Sequence, residues 1–256
     1  MKTIAISGKG GTGKSTIAAL IIRWLSDHRD QPILAVDADS NVNLNELLGV
    51  QIKETVGSIR EKLKNKNQNL PGGMTKAQFL EYKIQNDLVE TPQYDLLAMG
   101  RPEGPGCYCY ANNLLRDILL TLSANYRYIV IDNEAGMEHL SRRTTQNIDL
   151  LLIISEPTVR GVKTSGRIGR LLKELDTRIE RKCLILNRVN TKIPAAVSKM
   201  MDDEDLQCCL TIPDDQGIYA ADQRGESIWM LPETSPAYTA VDNWMKSIFK
   251  SAHRGL

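Results

Sequence analysis

One segment, Gly8-Lys9-Gly10-Gly11-Thr12-Gly13-Lys14-Ser15-Thr16, narrows the folds open to this chain more than any other feature. It follows the apolar run Thr3-Ile4-Ala5-Ile6. Glycines at this spacing let the backbone turn successive N–H groups inward on an anion. Lys14 then supplies a point charge for β- and γ-phosphates, and the Ser15 hydroxyl is placed to ligate Mg²⁺. Residues 17–25 continue as a helix whose N-terminal dipole end faces the phosphates. The expected cradle is Gly10, Gly11, Thr12, Gly13, Lys14, Ser15 and Thr16, holding ATP or ADP with Mg²⁺. Gly8, Gly10 and Gly13 also satisfy the looser dinucleotide pattern G-x-G-x-x-G, with Asp37 downstream as that reading requires. Lys14-Ser15-Thr16 directly after the last glycine serves a triphosphate rather than a pyrophosphate, and decides between the two.

The rest of the chain agrees with an α/β architecture. Apolar, β-rich runs recur at 3–7, 33–36, 94–99, 128–131, 150–154, 183–187 and 209–212, mostly with helical patterns between them. That alternation predicts a single P-loop NTPase domain over 1–256: a mostly parallel twisted sheet flanked by helices on both faces. Its ligand belongs at the carboxyl ends of the strands. A chain of 256 residues suits one such core. Residues 50–93 interrupt the rhythm, with a polar stretch at 62–69 broken by Pro71-Gly72-Gly73, and predict a helical or irregular excursion within the domain.

Charge and hydropathy bound the partners. Lys+Arg 32 against Asp+Glu 31 leaves no global field for nucleic acid or anionic lipid. The chain enters a strand at once and holds no apolar run near ~20 residues, so a cytoplasmic protein without leader or membrane span is expected. Val241, Trp244, Met245, Ile248 and Phe249 form a helical stripe near the end. Only Lys246 and Lys250 flank it within the helix, which predicts a last helix packed on its own core rather than a surface anchor.

Asp132 ends the run Tyr128-Ile129-Val130-Ile131, so a carboxylate is expected at a strand tip opposite the phosphate loop, behind the magnesium. The chain has five cysteines, an odd count that favours free thiols or metal ligands over a disulfide framework. Cys107 and Cys109 lie one residue apart on a loop rich in glycine and proline. One such pair cannot fill a tetrahedral site, but a twofold axis supplies two more thiolates; the resulting S₄ set suits Zn²⁺ when tetrahedral and Ni²⁺ when square planar. The plainer alternative is two partly buried cysteines near a turn. Cys208-Cys209 and Cys183 sit in apolar strand runs and are expected to act as small hydrophobes. His28, His139 and His253 have no ligand spacing.

Lys9, at the start of the loop, resembles the signature lysine of the deviant phosphate loop in the MinD/ParA/nitrogenase-iron-protein class. The resemblance implies an ATP-sandwich homodimer in which Lys9 reaches the partner's nucleotide. It further implies that Asp39, after Asp37-Ala38, sits near the attacking water, and that Asp37 lies closer to Mg²⁺. Asn133-Glu134-Ala135-Gly136 resembles switch II, with Gly136 swinging on the γ-phosphate. Asn187-Arg188 and Pro213-Asp214 resemble the adenine-recognition edges of the class; an amide both donates to and accepts from adenine. Lys9, Lys14 and Asp39 are the catalytic set so implied. Together with Gly104-Pro105-Gly106-Cys107-Tyr108-Cys109, these motifs resemble the CooC family, the accessory ATPases that mature nickel-containing carbon monoxide dehydrogenase, with acetyl-CoA synthase accessory ATPases as close relatives. That likeness implies a homodimer holding Ni²⁺ (or Zn²⁺) across its axis through Cys107 and Cys109, with the apo-enzyme as partner. Two other readings stay open, a MinD/ParA-like positioning ATPase and an ATP-gated iron–sulfur electron donor. The second expects a cysteine after switch II, where the chain reads Met137-Glu138-His139-Leu140-Ser141.

Overall fold

The computed structural model describes residues 2–29, 31–65, 73–101, 118–134, 147–173 and 178–252. Its strands are β1 (Thr3–Gly8), β2 (Ile33–Asp37), β3 (Val89–Glu90), β4 (Asp95–Ala98), β5 (Tyr128–Asp132), β6 (Asn147–Ser155), β7 (Arg178–Val189) and β8 (Cys208–Pro213). They form one sheet in the order β3-β4-β2-β5-β1-β6-β7-β8. All neighbours run parallel except β3 and β4. Each of the seven apolar runs in the sequence lies on a strand; the two-residue edge strand β3 had no signal there. β1, β2 and β5 are buried at every position, because helices cover both faces of a parallel sheet.

The helices are α1 (Lys14–His28), α2 (Leu44–Leu48), α3 (Val56–Asn65), α4 (Lys76–Asn86), α5 (Val159–Lys173), α6 (Ala195–Asp203), α7 (Gln216–Gln223) and α8 (Pro236–Ala252). On one face, Leu20 and Trp24 of α1 meet Trp244 and Met245 of α8 over Val130, Ile154 and Ile185 of the sheet. On the other, Val56 and Ile84 cover Leu34 and Ile131, while Val162 and Val197 cover Leu151 and Leu184. α1 is buried continuously from Ile17 to Leu25, as a helix apolar on all sides must be. Within that buried stretch Arg23 donates to the carbonyls of Ile228 (2.9 Å) and Leu231 (2.8 Å), and its guanidinium lies 4.2 Å from the Tyr238 ring centroid. Those bonds tie the C-terminal half of α1 to the segment leading into α8.

The terminal apolar stripe is spent on this core. Phe249 stacks on Trp24 at 5.3 Å and meets Tyr128 edge-on at 5.8 Å, and Trp24 Nε1 donates to Asp242 at 2.8 Å. Among the described residues no helix is long and apolar enough to cross a membrane. One expectation is overturned at the β7–β8 edge. Cys208 and Cys209 face opposite sides, as alternation requires, but Cys209 shares a side with buried Cys183 and the two are joined as a disulfide. Their Cα atoms are 5.8 Å apart, where the register between β7 and β8 shifts. Cys208 stays a free thiol.

Candidate functional site

The glycine loop is closed on itself before any ligand arrives. The Lys9 carbonyl accepts from Thr12 Oγ1 (2.8 Å), Thr12 N (3.4 Å) and Lys14 Nζ (3.5 Å). Gly8 and Gly13 have no substitute here. A Cβ on Gly8 would lie 2.4 Å from the Ile154 carbonyl oxygen, and one on Gly13 (φ +89°) would lie 2.4 Å from Asn187 Nδ2. Gly13 caps α1 without a side-chain bond, so the first-turn N–H groups of α1 point into the mouth of the loop, where an anion belongs.

The end of β7 holds this loop from outside. Asn187 Nδ2 donates to the Thr12 carbonyl at 2.9 Å, and Arg188 Nη1 donates to the Gly11 carbonyl at 3.2 Å. Arg188 does so from a left-handed backbone (φ +58°), a strained conformation that positions its side chain across the loop. Asn187 therefore spends one of its two amide N–H donors on the loop, which leaves the second N–H and the carbonyl oxygen. Sequence reasoning missed this bond, because nothing local announces a partner 175 residues away.

Across the mouth stand two carboxylates. Asp37 and Asp132 are register partners at the tips of β2 and β5. Asp37 accepts three backbone N–H groups, from Asp39 (3.0 Å), Asn43 (2.9 Å) and Leu44 (2.9 Å), which pins the turn carrying Asp39. Burial nonetheless pushes its carboxyl up from the ordinary value. Asp132 is pushed up to about 7, mainly by burial and then by the neighbouring charges of Asp37 and Asp39, against the pull of the Ser15 hydroxyl and Lys14. One of its oxygens is buried without a partner. Two desolvated carboxylates, one with an orphaned oxygen, beside a hydroxyl and a lysine form a donor set that a hard divalent cation fits. Among the described residues no three His, Cys, Asp or Glu side chains are grouped to hold a metal alone. Asp39 is half-buried, and its carboxylate accepts from the Asn41 N–H at 2.8 Å. Ser40 Oγ donates to Glu134 at 3.2 Å, a bond between the two turns that the sequence did not signal.

A cavity of about 360 Å³ opens beside the loop, between the start of α1, the ends of β7 and β8, and α7. Ile17, Leu20, Ile212 and Ile218 give it apolar walls, while Asn187, Arg188, Pro213 and Asp214 stand at its edge. Asp215 also lines the cavity, but its carboxylate is engaged by the protein. It caps α7 through Gly217 N (2.8 Å) and accepts from Ser235 Oγ (2.5 Å) and Ala237 N (3.0 Å), a role that an aspartate just before a helix could have signalled. The loop residues, Asp37, Asp39 and Asp132 thus meet at the carboxyl ends of β1, β2 and β5, and Asn187, Arg188, Pro213 and Asp214 at the adjoining ends of β7 and β8. Cys107, Cys109, Gly136 and His139 lie outside the described residues.

Comparison with known proteins bears on this geometry. A family model described as the CobQ/CobB/MinD/ParA nucleotide binding domain matches residues 3–228. An uncharacterised ATP-binding protein of Methanocaldococcus jannaschii is 43% identical over 247 residues, covering 96% of this chain and 97% of that one. The carbon monoxide dehydrogenase accessory protein CooC of Rhodospirillum rubrum is 34% identical, covering 91% of this chain and 90% of its own. Among solved structures, a ParA family ATPase from Chlorobium tepidum superposes with a TM-score of 0.73 at 21% identity, over 95% of this chain and 96% of the other.

Proposed function

On the premise that the chain belongs to the CobQ/CobB/MinD/ParA family of P-loop ATPases, we propose that it hydrolyses Mg-ATP as a homodimer and delivers nickel to an apo carbon monoxide dehydrogenase or acetyl-CoA synthase. The observation that carries the ATPase half is the pair Asp37 and Asp132, buried and proton-seeking, facing Ser15 and Lys14 across a closed glycine loop.

In this reading the N–H groups from Gly10 to Thr16 bind the phosphates. Lys14, resting on the Lys9 carbonyl, transfers its ammonium to the β- and γ-phosphate oxygens. Ser15 and Asp37 hold the magnesium, with Asp132 behind them. Mg²⁺ supplies charge neutralisation where negative charge develops on the transferring phosphoryl group. Asp39 orients the attacking water, while one of its two carboxylate oxygens accepts from the Asn41 N–H. Lys9 is exposed and its ammonium has no partner among the described residues, as suits a side chain destined for the partner's phosphate.

The nickel half rests on Cys107-x-Cys109 and on the likeness to CooC across nine-tenths of both chains. Two such loops across the twofold axis would hold the ion as cargo. Nucleotide and cargo then meet one interface, so each shifts the other's affinity. A cytoplasmic location fits both. The packing of Phe249 and Trp244 into the core favours this over a MinD-like membrane role, since the apolar face an anchor needs is already buried.

Titration with Ni²⁺ and with Zn²⁺, beside a Cys107→Ser/Cys109→Ser variant, tests the proposal. We expect about one ion per dimer, lost in the variant while Mg-ADP still binds. Equal metal uptake by both proteins refutes the cargo site. An absence of ATP turnover in the metal-loaded wild type refutes the ATPase half.

A further inference from the structure

We infer that Tyr219 is the stacking cap of the nucleotide base, a role resting on the nucleotide reading above. Tyr219 lines the cavity beside the phosphate loop, yet its side chain is left open, with the residue 61% exposed. No protein group among the described residues bonds or stacks on it. An aromatic ring held in water at the lip of an apolar-walled cleft gains from a flat partner that slides beneath it.

The backbone under the ring is fixed. Asp215 ties the first turn of α7 to the first turn of α8 through Gly217, Ser235 and Ala237, and the Tyr219 N–H donates back to the Asp215 carbonyl at 3.3 Å. The ring therefore stands on a rigid post, one turn into α7. The far side of the cleft is equally fixed, since Asn187 is bonded to Thr12 and Gly13 closes against it. A cleft of about 360 Å³ between two rigid walls has room for a base with its ribose. Every base offers a π-face, so stacking rewards ring area. The cap favours purines on area.

Binding of Mg-ADP, Mg-UDP and Mg-tripolyphosphate is measured by calorimetry on the wild type, Tyr219→Ala and Tyr219→Phe. The alanine variant is expected to weaken Mg-ADP about tenfold and Mg-UDP less, within the range of base–aromatic stacking. Mg-tripolyphosphate, which has no base, keeps its affinity to within about twofold, and the phenylalanine variant matches the wild type throughout. If Tyr219→Ala binds Mg-ADP as the wild type does, or loses tripolyphosphate equally, the cap is refuted while the nucleotide site stands. A wild type that binds none of the three phosphate ligands overturns the nucleotide reading and the cap with it.

Discussion

Alanine at Gly13 imposes a backbone cost and a packing cost that can be separated. A non-glycine residue in the left-handed region costs roughly 1–2 kcal/mol. The new Cβ would also stand 2.4 Å from Asn187 Nδ2, driving that amide off the Thr12 carbonyl. A bond of this kind is worth about 1 kcal/mol net, and more when the acceptor is left buried. Gly13→Ala should therefore destabilise the protein by about 2–3 kcal/mol. Asn187→Ala loses the same bond and should cost about 1–2 kcal/mol. A bond can be lost only once, so the double variant should fall about 1 kcal/mol short of the sum. Gly11→Ala is the control: φ is +79°, but nothing lies within 4 Å of the added Cβ. It should show the backbone cost alone and no coupling to Asn187. Urea unfolding followed by tryptophan fluorescence and by far-UV circular dichroism measures all six proteins, the Gly11→Ala/Asn187→Ala double variant included. If Gly13→Ala and Asn187→Ala add to within about 0.4 kcal/mol, the clash on which the argument rests does not exist.

Other consequences are equally direct. Lys9→Ala should leave Mg-ADP binding near wild type but lower ATP turnover by at least about tenfold, because the missing ammonium acts on the partner's phosphate; unchanged turnover would remove Lys9 from the mechanism. Arg23→Leu should cost about 3 kcal/mol in urea unfolding, since it leaves the Ile228 and Leu231 carbonyls without their donor. Burial alone would raise the Asp215 carboxyl, but bonds from Ser235, Ala237 and Gly217 outweigh it and hold the group below its ordinary 3.8. Its stabilising contribution is then full above that value and lost as pH falls below it. An Asp215→Asn variant should show a smaller drop in Tm between pH 6 and pH 3 than the wild type.

Much of the site is legible in the chain because its parts are local. The phosphate loop needs only its own glycines, Lys14 and Ser15 within a few residues of one another. The strands that carry Asp37 and Asp132 announce themselves as unbroken apolar runs, because both faces of a parallel sheet are covered. The packed C-terminal stripe was legible for a similar reason, as helical spacing with too little charge for a surface role. The antiparallel edge strand β3, at Val89–Glu90, had too few residues to leave a pattern.

What the sequence by itself determined is therefore the phosphate chemistry, the layered α/β class and the strand tips where acids must lie. Only the tertiary structure decided which groups are spent on the protein and which remain for a ligand. It made Asn187 a strut of the loop as well as a wall of the cleft, made Asp215 an anchor, joined Cys183 to Cys209, and set Tyr219 at the lip of the cleft. These outcomes depend on the order and register in which β1, β6, β7 and β8 are laid side by side. Secondary structure follows from interactions a few residues apart, whereas a hydrogen bond between Asn187 and Thr12 exists only once the sheet has brought their strands' carboxyl ends together.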